Sequence, residues 1–471
     1  RPVFRASLIW TSLPIHGLPT KGFTMKSQSF TYVLFLMVAG ALPASADDWP
    51  QWMGPKRDGV WRETGIVDKF PAGGPPVRWR VPIGGGYSGP AVVGNRVYVT
   101  DKQMPQGIQN PDNPFNRTRT PATERVVCLN GDDGSIVWKH EYECPYTVSY
   151  PAGPRTTPVV HEGRVYTLGS EGHLFCLEAK DGKVVWGKEL KKDYQHEQSP
   201  VWGWSANLLL DGDRLICLVG GKGTAVVAFH KETGKEIWRA IDSSGPHGPG
   251  YSSPVIIEAG GKRQLIVWHP TAVTSLDPAS GSQYWTQPFV SAQGLSVATP
   301  RVSGDNLFIS AFYNGSLLLK LDQSQPQASV VWKRHGENEK NTDALHCLMS
   351  TPVIDGNYIY GVCSHGETRC LDIKNGDRKW STFEPTSKQS ARWGNAFIVR
   401  HEDRYVLFSE QGDLILAQMS PEGYKEISRA HLLEPTGPSQ RRLVVWTHPA
   451  FANRCAYVRN DTEIVCVSLA K

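Results

Sequence analysis

From Ser88 to the end of the chain, short apolar runs alternate with Gly, Asn and Asp. In GPAVVGNRVYVTD, TPVVHEGRVYTLG, SPVIIEAGGKRQLIVW, TPRVSGDNLFIS and TPVIDGNYIYGV, a Pro-led run is separated from a second run by Gly-Asn, Glu-Gly, Gly-Gly, Gly-Asp-Asn or Asp-Gly-Asn. This pattern predicts a hairpin of two strands. A third run such as HLFCLEAKDG follows, then a Gly turn, then a fourth run with a Trp four residues beyond the Gly. The Gly/Trp pairs are Gly134/Trp138, Gly182/Trp186, Gly234/Trp238, Gly281/Trp285 and Gly376/Trp380, and successive Trp positions from Trp138 to Trp380 lie 47 to 52 residues apart. Trp332 keeps the phase with Ala328 in place of the Gly, and Gly423 keeps it with Ile427 in place of the Trp. Helical i, i+3, i+4 spacing is absent, which excludes a helical solenoid of similar period.

Four short strands joined by tight turns and repeated at this period predict the blades of a β-propeller. First strands begin at Pro90, Pro158, Ala206, Pro254, Pro300, Pro352, Ala396 and Pro449, which makes eight units. The eighth ends after three strands, while the segment from Val77 to about residue 83 carries Trp79 without a preceding Gly turn. Donating that strand to the last blade removes an unpaired edge and closes the ring. The expectation is therefore an all-β, eight-bladed propeller of four-stranded antiparallel blades over residues 77–471. The Gly suits a turn with positive φ. The Trp side chains at 79, 138, 186, 238, 285, 332 and 380 are read as blade-docking, because an indole buries a large area against the neighbouring sheet.

Three segments stand outside the repeat. Residues 47–76, opening DDWPQWMGPKRDGVW, predict an extended arm over the domain, pinned by Trp49, Trp52 and Trp61. Asp101 to Glu124 interrupts blade 1 with about 24 residues dense in Pro, Asn and Gln, which reads as a functional lid or a loose excursion. At the amino end, Met25, Lys26, an apolar run from Tyr32 to Leu42 and Ala44-Ser45-Ala46 have the order of a secretory signal, with cleavage expected after Ala46. Residues 1–24 read as an upstream extension.

The apolar run is too short to span a bilayer. Without Arg1, Arg5, Lys21 and Lys26, the formal charge falls from +5 to +1, and no basic stripe suggests nucleic acid or an anionic membrane as partner. The first Cys is Cys128, which speaks against a lipid anchor after the apolar run. Of nine Cys, four share one phase of the repeat (Cys128, Cys176, Cys370 and Cys466) where other units have Ala228 and Ser275. A slot that accepts Cys, Ala or Ser is a small buried strand position, which favours packing over disulfides or metal. The product is expected to be periplasmic or secreted.

The unit VAFHKETGKEIW resembles the quinoprotein (PQQ-like) β-propeller repeat, and the likeness covers residues 77–471. The arm, WPQW-x-GP-x-RDG over Trp49 to Gly59, further resembles secreted bacterial members often labelled like outer-membrane-protein assembly factor B. The resemblance implies two precedents. Quinoprotein dehydrogenases hold PQQ and calcium over the ring axis, stack the quinone on a Trp floor and a vicinal disulfide, and use an Asp base. The assembly-factor proteins use the same ring as a scaffold without catalysis. This chain shows no adjacent Cys pair, no CxxCH and no recognisable cluster of calcium-binding carboxylates.

Residues entering each innermost strand lie near the ring axis. Three positions before the strand anchors stand Tyr87, Arg155, Tyr251, Met349, Trp393 and Trp446, and one position before them stand Thr157, Ser205, Ser253, Thr299, Thr351, Asn395 and His448. Trp202, Trp204, His247, His346 and Arg392 approach in the preceding loops. The candidate ligand-binding set is Tyr87, Arg155, Trp204, Tyr251, His346, Arg392, Trp393, Trp446 and His448. These residues would stack a flat ligand and orient it through hydroxyls and Arg; equally, small hydroxyl residues suit a crowded axis. The His spacing has no metal-ligand pattern and no nucleophile elbow is present, so no metal and no catalytic residue is expected. The function expected is a non-catalytic scaffold or binding protein of the bacterial cell envelope, without cofactor, taking an envelope protein or polymer segment at the ring mouth. A PQQ-dependent enzyme with calcium, or a carbohydrate-binding or carbohydrate-processing propeller, is the alternative.

Overall fold

The computed structural model describes residues 47–471; the upstream extension, the expected signal peptide and its cleavage site lie outside the described residues. Eight four-stranded antiparallel sheets follow one another along the chain. Blade 1 is Ala91–Val93, Arg96–Gln103, Thr123–Asn130 and Ile136–Glu143, and blade 2 is Val159–His161, Arg164–Leu168, His173–Glu178 and Val184–Glu189. The innermost strands of blades 3 to 7 are Leu209–Asp211, Val255–Ala259, Arg301–Ser303, Val353–Asp355 and Ala396–His401. Blade 8 takes Ala450–Ala452, Cys455–Arg459 and Glu463–Ser468 from the end of the chain and Val77–Pro82 from its beginning, with Trp79 opposite Cys466 and Pro82 opposite Glu463. The closure is the one the orphan Trp79 strand predicts. Among the described residues no helix is long and apolar enough to cross a membrane.

The recurrent Gly and Trp belong to one device that joins neighbouring blades. Each Trp stands on the outer strand and sends its indole N–H to a carbonyl in the last turn of the next blade: Trp79 to Gly131 at 2.8 Å, Trp138 to Ala179 at 2.9 Å, Trp186 to Lys231 at 2.7 Å. Trp238, Trp332 and Trp380 do the same to Pro278, Ile373 and Ser420. In five of these turns, at Gly134, Gly182, Gly234, Gly281 and Gly376, the Gly lies under the arriving indole, whereas a Cβ on Gly423, in the blade that receives Trp380, would have nothing within 4 Å. A Cβ on Gly182 would stand 2.4 Å from Trp138, and one on Gly281 2.6 Å from Trp238. Both glycines also take positive φ, 73° and 74°. Trp285 departs from the rule: it bonds Gln264 of its own blade at 2.8 Å, and the turn it would meet is the one where Ala328 replaces Gly.

Opposite six of the seven docking Trp residues the third strand carries the small slot read from the sequence; the exception is Trp332, which faces Leu318. Cys128, Cys176, Cys370 and Cys466 pair with Trp138, Trp186, Trp380 and Trp79, and each is flanked on the second strand by a Tyr: Tyr98, Tyr166, Tyr360 or Tyr457. A Cys between two large rings fills the row without crowding it. All nine Cys are buried free thiols.

The arm is more than a covering. Trp49 pairs with Val92 of blade 1, Pro50 accepts from Val160 of blade 2, and Val60–Trp61 adds a parallel fifth strand to blade 7 opposite Arg400 and His401. Trp49 and Trp61 are buried against Phe451. Asp48 accepts from Gly94, and Glu63 accepts from Arg454, both in hairpins between first and second strands. The arm therefore crosses the ring face that carries those hairpins, opposite the face where the chain enters each innermost strand. The blade 1 insertion also differs at its ends from the loop expected. Asp101 pairs with Arg125 and Gln103 with Thr123, so the ribbon is longer and the loop proper is residues 104–122.

Candidate functional site

The loops entering the innermost strands enclose an axial cavity of about 210 Å³. Its floor is Trp52, which the arm sends into the channel from the opposite face; the indole N–H reaches Thr299 Oγ1 at 3.2 Å, and the ring meets His448 edge-on at 4.2 Å between centroids. The result is a cup, closed below and open at the mouth. Its upper wall is a run of aromatics. Tyr150, Trp393 and Trp446 lie with ring centroids 5.9 to 6.3 Å apart, and Trp202 stacks on His247 at 5.3 Å and meets Tyr251 at 5.5 Å. Tyr150 and Trp393 hold φ of 53° and 62°, a left-handed conformation that costs about 1–2 kcal/mol for a residue with a Cβ. Such strain is found where surrounding structure enforces it, commonly at functional sites.

The hydroxyl and amide groups of the collar are committed to holding the ring together, whereas the Tyr150 hydroxyl and the Trp393 N–H above them have no partner. Thr157 N–H donates to Asn207 Oδ1 at 2.7 Å, and Asn207 donates through N and Nδ2 to Ser253 Oγ at 3.0 Å. Thr299 N–H donates to Thr351 Oγ1 at 3.2 Å, Gly89 N–H to His448 Nε2 at 3.2 Å, and Thr157 Oγ1 lies 2.9 Å from the same nitrogen. Each of these contacts runs from one blade to another. Arg155 is likewise a clamp. Its Nη1 donates to Gly153 O and Ser170 Oγ and its Nη2 to Ser149 O and Tyr150 O, at 2.6 to 2.9 Å, while the guanidinium lies over the Tyr87 ring. No carboxylate lines the cup. Its free surfaces are aromatic faces and the side chains of Leu295, Val297, Leu348 and Met349.

Six of the nine candidates line this cup: Tyr87, Arg155, Tyr251, Trp393, Trp446 and His448. Three stand elsewhere, which corrects their assignment to the mouth. Trp204 is 2% exposed in the core between blades 2 and 3, with its N–H on Val219 O. His346 is buried between Phe312 O and the Gly336 N–H, which it accepts. Arg392 turns outward to Glu339 at 2.8 Å and Tyr313 at 3.2 Å. Backbone alternation accounts for two of these. Positions three and one before the strand anchor share a face, whereas Trp204 and Arg392, two and four before, point away. Trp52, Tyr150 and Phe397 are lining residues that periodicity did not reveal.

Burial pushes the His448 imidazole down to about 3, and His269 and His346 each to about 4, from an ordinary value near 6.5. The folded protein keeps these rings neutral while the unfolded chain takes up protons below pH 6.5, so stability falls as pH drops from about 6.5 towards 4. At pH 5 each contributes a loss of about 2 kcal/mol relative to neutral pH. Stability at pH 7 and pH 5 is expected to differ accordingly, and His448→Gln, which keeps an acceptor for Gly89, should remove about 2 kcal/mol of the difference.

Beside the cup runs a groove of about 610 Å³ between residues 112–115 of the blade 1 loop and the hairpin Gly437–Ser439 and Arg442–Val444; Tyr150 lines both. The loop is docked as a wall. Arg117 bonds Thr147 O and Ser199 O at 2.8 and 2.7 Å, and Phe115 meets Tyr150 at 5.2 Å and Trp393 at 6.0 Å. The hairpin is tied down by Arg442 and the buried carboxylate of Glu410 at 3.0 Å.

Eight blades fastened by Trp and Gly around an axial cup define a quinoprotein-type propeller. The sequence profile of the family described as outer membrane protein assembly factor BamB matches residues 122–382, more than half of the chain, and the protein belongs to that family. BamB of Yersinia pestis is 23% identical over 286 residues, covering 57% of this chain and 64% of its own. A quinoprotein ethanol dehydrogenase of Pseudomonas aeruginosa is 28% identical over 152 residues, covering 29% of this chain and 23% of its own. The match spans less than two thirds of the length of either relative. Among solved structures, a quinohemoprotein alcohol dehydrogenase from Comamonas testosteroni has a TM-score of 0.58 at 12% identity, over 90% of this chain and 81% of that one, a likeness of fold alone.

Proposed function

We propose that this protein is a non-catalytic binding propeller of the bacterial cell envelope, whose cup takes an aromatic or aliphatic group presented by a protein segment lying in the adjoining groove. One observation carries the reading: the collar of Thr157, Asn207, Ser253, Thr299, Thr351 and His448 is committed to blade-to-blade bonds, which leaves aromatic faces, with the Tyr150 hydroxyl and the Trp393 indole N–H, as the free chemistry. The membership of the assembly-factor family and the exposed Phe115 and Leu443 along the groove support it.

The same observation weighs against the alternatives. PQQ carries three carboxylates and is held with calcium; the cup offers no carboxylate for the ion, and both terminal nitrogens of Arg155 already hold backbone carbonyls. Among the described residues no group of three or more His, Cys, Asp or Glu side chains is placed to hold a metal. A sugar would need uncommitted donors and acceptors around its hydroxyls, and among the lining residues the Tyr150 hydroxyl and the Trp393 N–H are the buried polar atoms left without a partner. The lining residues thus do not fit PQQ with calcium and offer a sugar few polar contacts.

The test uses the neutral dye N-phenyl-1-naphthylamine as a stand-in for the anchor. Saturable fluorescence enhancement is expected, weakened about thirtyfold by Trp393→Ala, the size of a buried aromatic anchor contact. A photo-cross-linker at Phe115 should trap an envelope protein, and the adduct should disappear in Trp446→Ala. A dye isotherm unaffected by Trp393→Ala, or PQQ with calcium restoring dye-linked oxidation of ethanol, would overturn the proposal.

A further inference from the structure

The arm builds a second cleft, of about 350 Å³, on the face opposite the mouth, where it passes over blades 3, 4 and 5. Lys56 stands at its rim, and Arg57 and Arg301 line it. The carboxylates of the cleft are already engaged: Asp58 holds Arg62, and Asp211 holds Arg263 at 2.5 Å and Arg214 at 3.7 Å. Pairing these off leaves three cations, Lys56, Arg57 and Arg301, with no carboxylate at ion-pair distance among the described residues. An uncompensated cluster of part-buried guanidinium groups is costly unless an anion completes it.

The donors available are specific. Arg57 gives three of its N–H groups to Leu208 O at 2.8 Å, Pro254 O at 3.3 Å and Gln51 Oε1 at 3.3 Å. Arg301 gives two to the backbone, at Arg57 O (3.3 Å) and Asp58 O. A guanidinium carries five N–H groups, so both residues retain donors, and the Nε of each is without a partner. Arg57 is also held at φ 54°, a conformation that favours Gly, so its side chain sits on a strained turn of the arm. Burial lowers both guanidinium groups to about 10 without discharging them near neutrality, so the two charges stand together there.

We infer that this cleft is an oxyanion site of phosphate size, in which Arg57 and Arg301 offer charge-assisted hydrogen bonds to a phosphoryl group and Lys56 closes the rim. Guanidinium groups match the tetrahedral oxygens of phosphate in pairs, which a lone ammonium does not. The phosphoryl group could be carried by free phosphate or by a lipid headgroup, and the experiment separates the two. The site is independent of the cup, which opens on the other face.

Titration calorimetry of the purified protein with sodium phosphate, in constant chloride, should give saturable binding at one site per chain. Arg301→Gln should raise the dissociation constant about tenfold or more, as loss of hydrogen bonds to a charged group does. Because that variant also loosens the arm, Lys56→Gln is the second probe: exposed at the rim, it should melt as the parent does and weaken phosphate by about threefold. Lys183→Gln, remote on an exposed turn, should change nothing. Co-sedimentation with phosphatidylglycerol vesicles but not phosphatidylcholine vesicles, competed by free phosphate, assigns a headgroup; phosphate binding without vesicle binding assigns the free ion. Absence of saturable phosphate binding, or equal binding by the parent, Lys56→Gln and folded Arg301→Gln proteins, overturns the inference.

Discussion

Gly182→Val is expected to lower the unfolding free energy by about 2–5 kcal/mol, whereas the same substitution at Gly163 costs about 1–2 kcal/mol. Both glycines have left-handed backbones, at φ 73° and 76°, so the conformational strain is nearly equal. They differ in what a side chain meets. A Cβ at Gly163 has open space within 4 Å, while one at Gly182 stands 2.4 Å from Cε3 of Trp138, whose N–H is meanwhile bonded to Ala179. The valine must therefore push the indole out of its seat and part blades 1 and 2. Denaturant titrations of the two variants measure the difference directly. Equal losses would mean that the repeat glycine serves the turn alone, and the account of blade fastening would fail.

Trp52→Ala is expected to lower both stability and dye binding while leaving the blades themselves untouched. Truncating a Trp buried to this degree costs about 3–5 kcal/mol, and here it removes the cup floor and the bond to Thr299 as well. The arm stays attached, since Trp49 and Trp61 remain buried beside Phe451. Affinity for N-phenyl-1-naphthylamine is then expected to fall about tenfold or more, because the dye loses its base and water enters from below. Trp49→Ala supplies the comparison: a similar stability loss, with dye affinity within about twofold of the parent. If the two variants bind the dye alike, Trp52 is an anchor of the arm and not part of the site.

Much of the ring is legible in one dimension because the fastening is periodic. The Trp of one blade and the Gly of the next lie at nearly fixed separations in sequence, so the contact that joins blades leaves its mark on every unit. The exception is informative too: Ala328 in place of Gly coincides with Trp285 bonding within its own blade. The site is less legible. Phase alone places Thr157, Ser253, Thr299 and Thr351 at the axis, yet whether a hydroxyl faces a ligand or a neighbouring blade depends on the adjacent blade's loop, which carries no period. Trp204 and Arg392 were assignable to the wrong side because closeness to the mouth in sequence does not state direction; the alternation of side chains along an extended segment carries that signal. Trp52 left no such trace, since its partners Thr299 and His448 come from blades 5 and 8, and nothing in the arm's aperiodic sequence specifies them.

By itself the sequence determined the number of blades, their strand order, the ring closure by Trp79 and the small slot that Cys fills. Each of these follows from local spacing, where turn chemistry and the burial of one face act over a few residues. Only the tertiary structure decided that the arm closes the channel, that the hydroxyl collar is committed to the ring, and that two cationic side chains meet beneath blades 3 to 5. Those outcomes depend on contacts between segments far apart in the chain, and the geometry that brings them together exists only after the ring has closed.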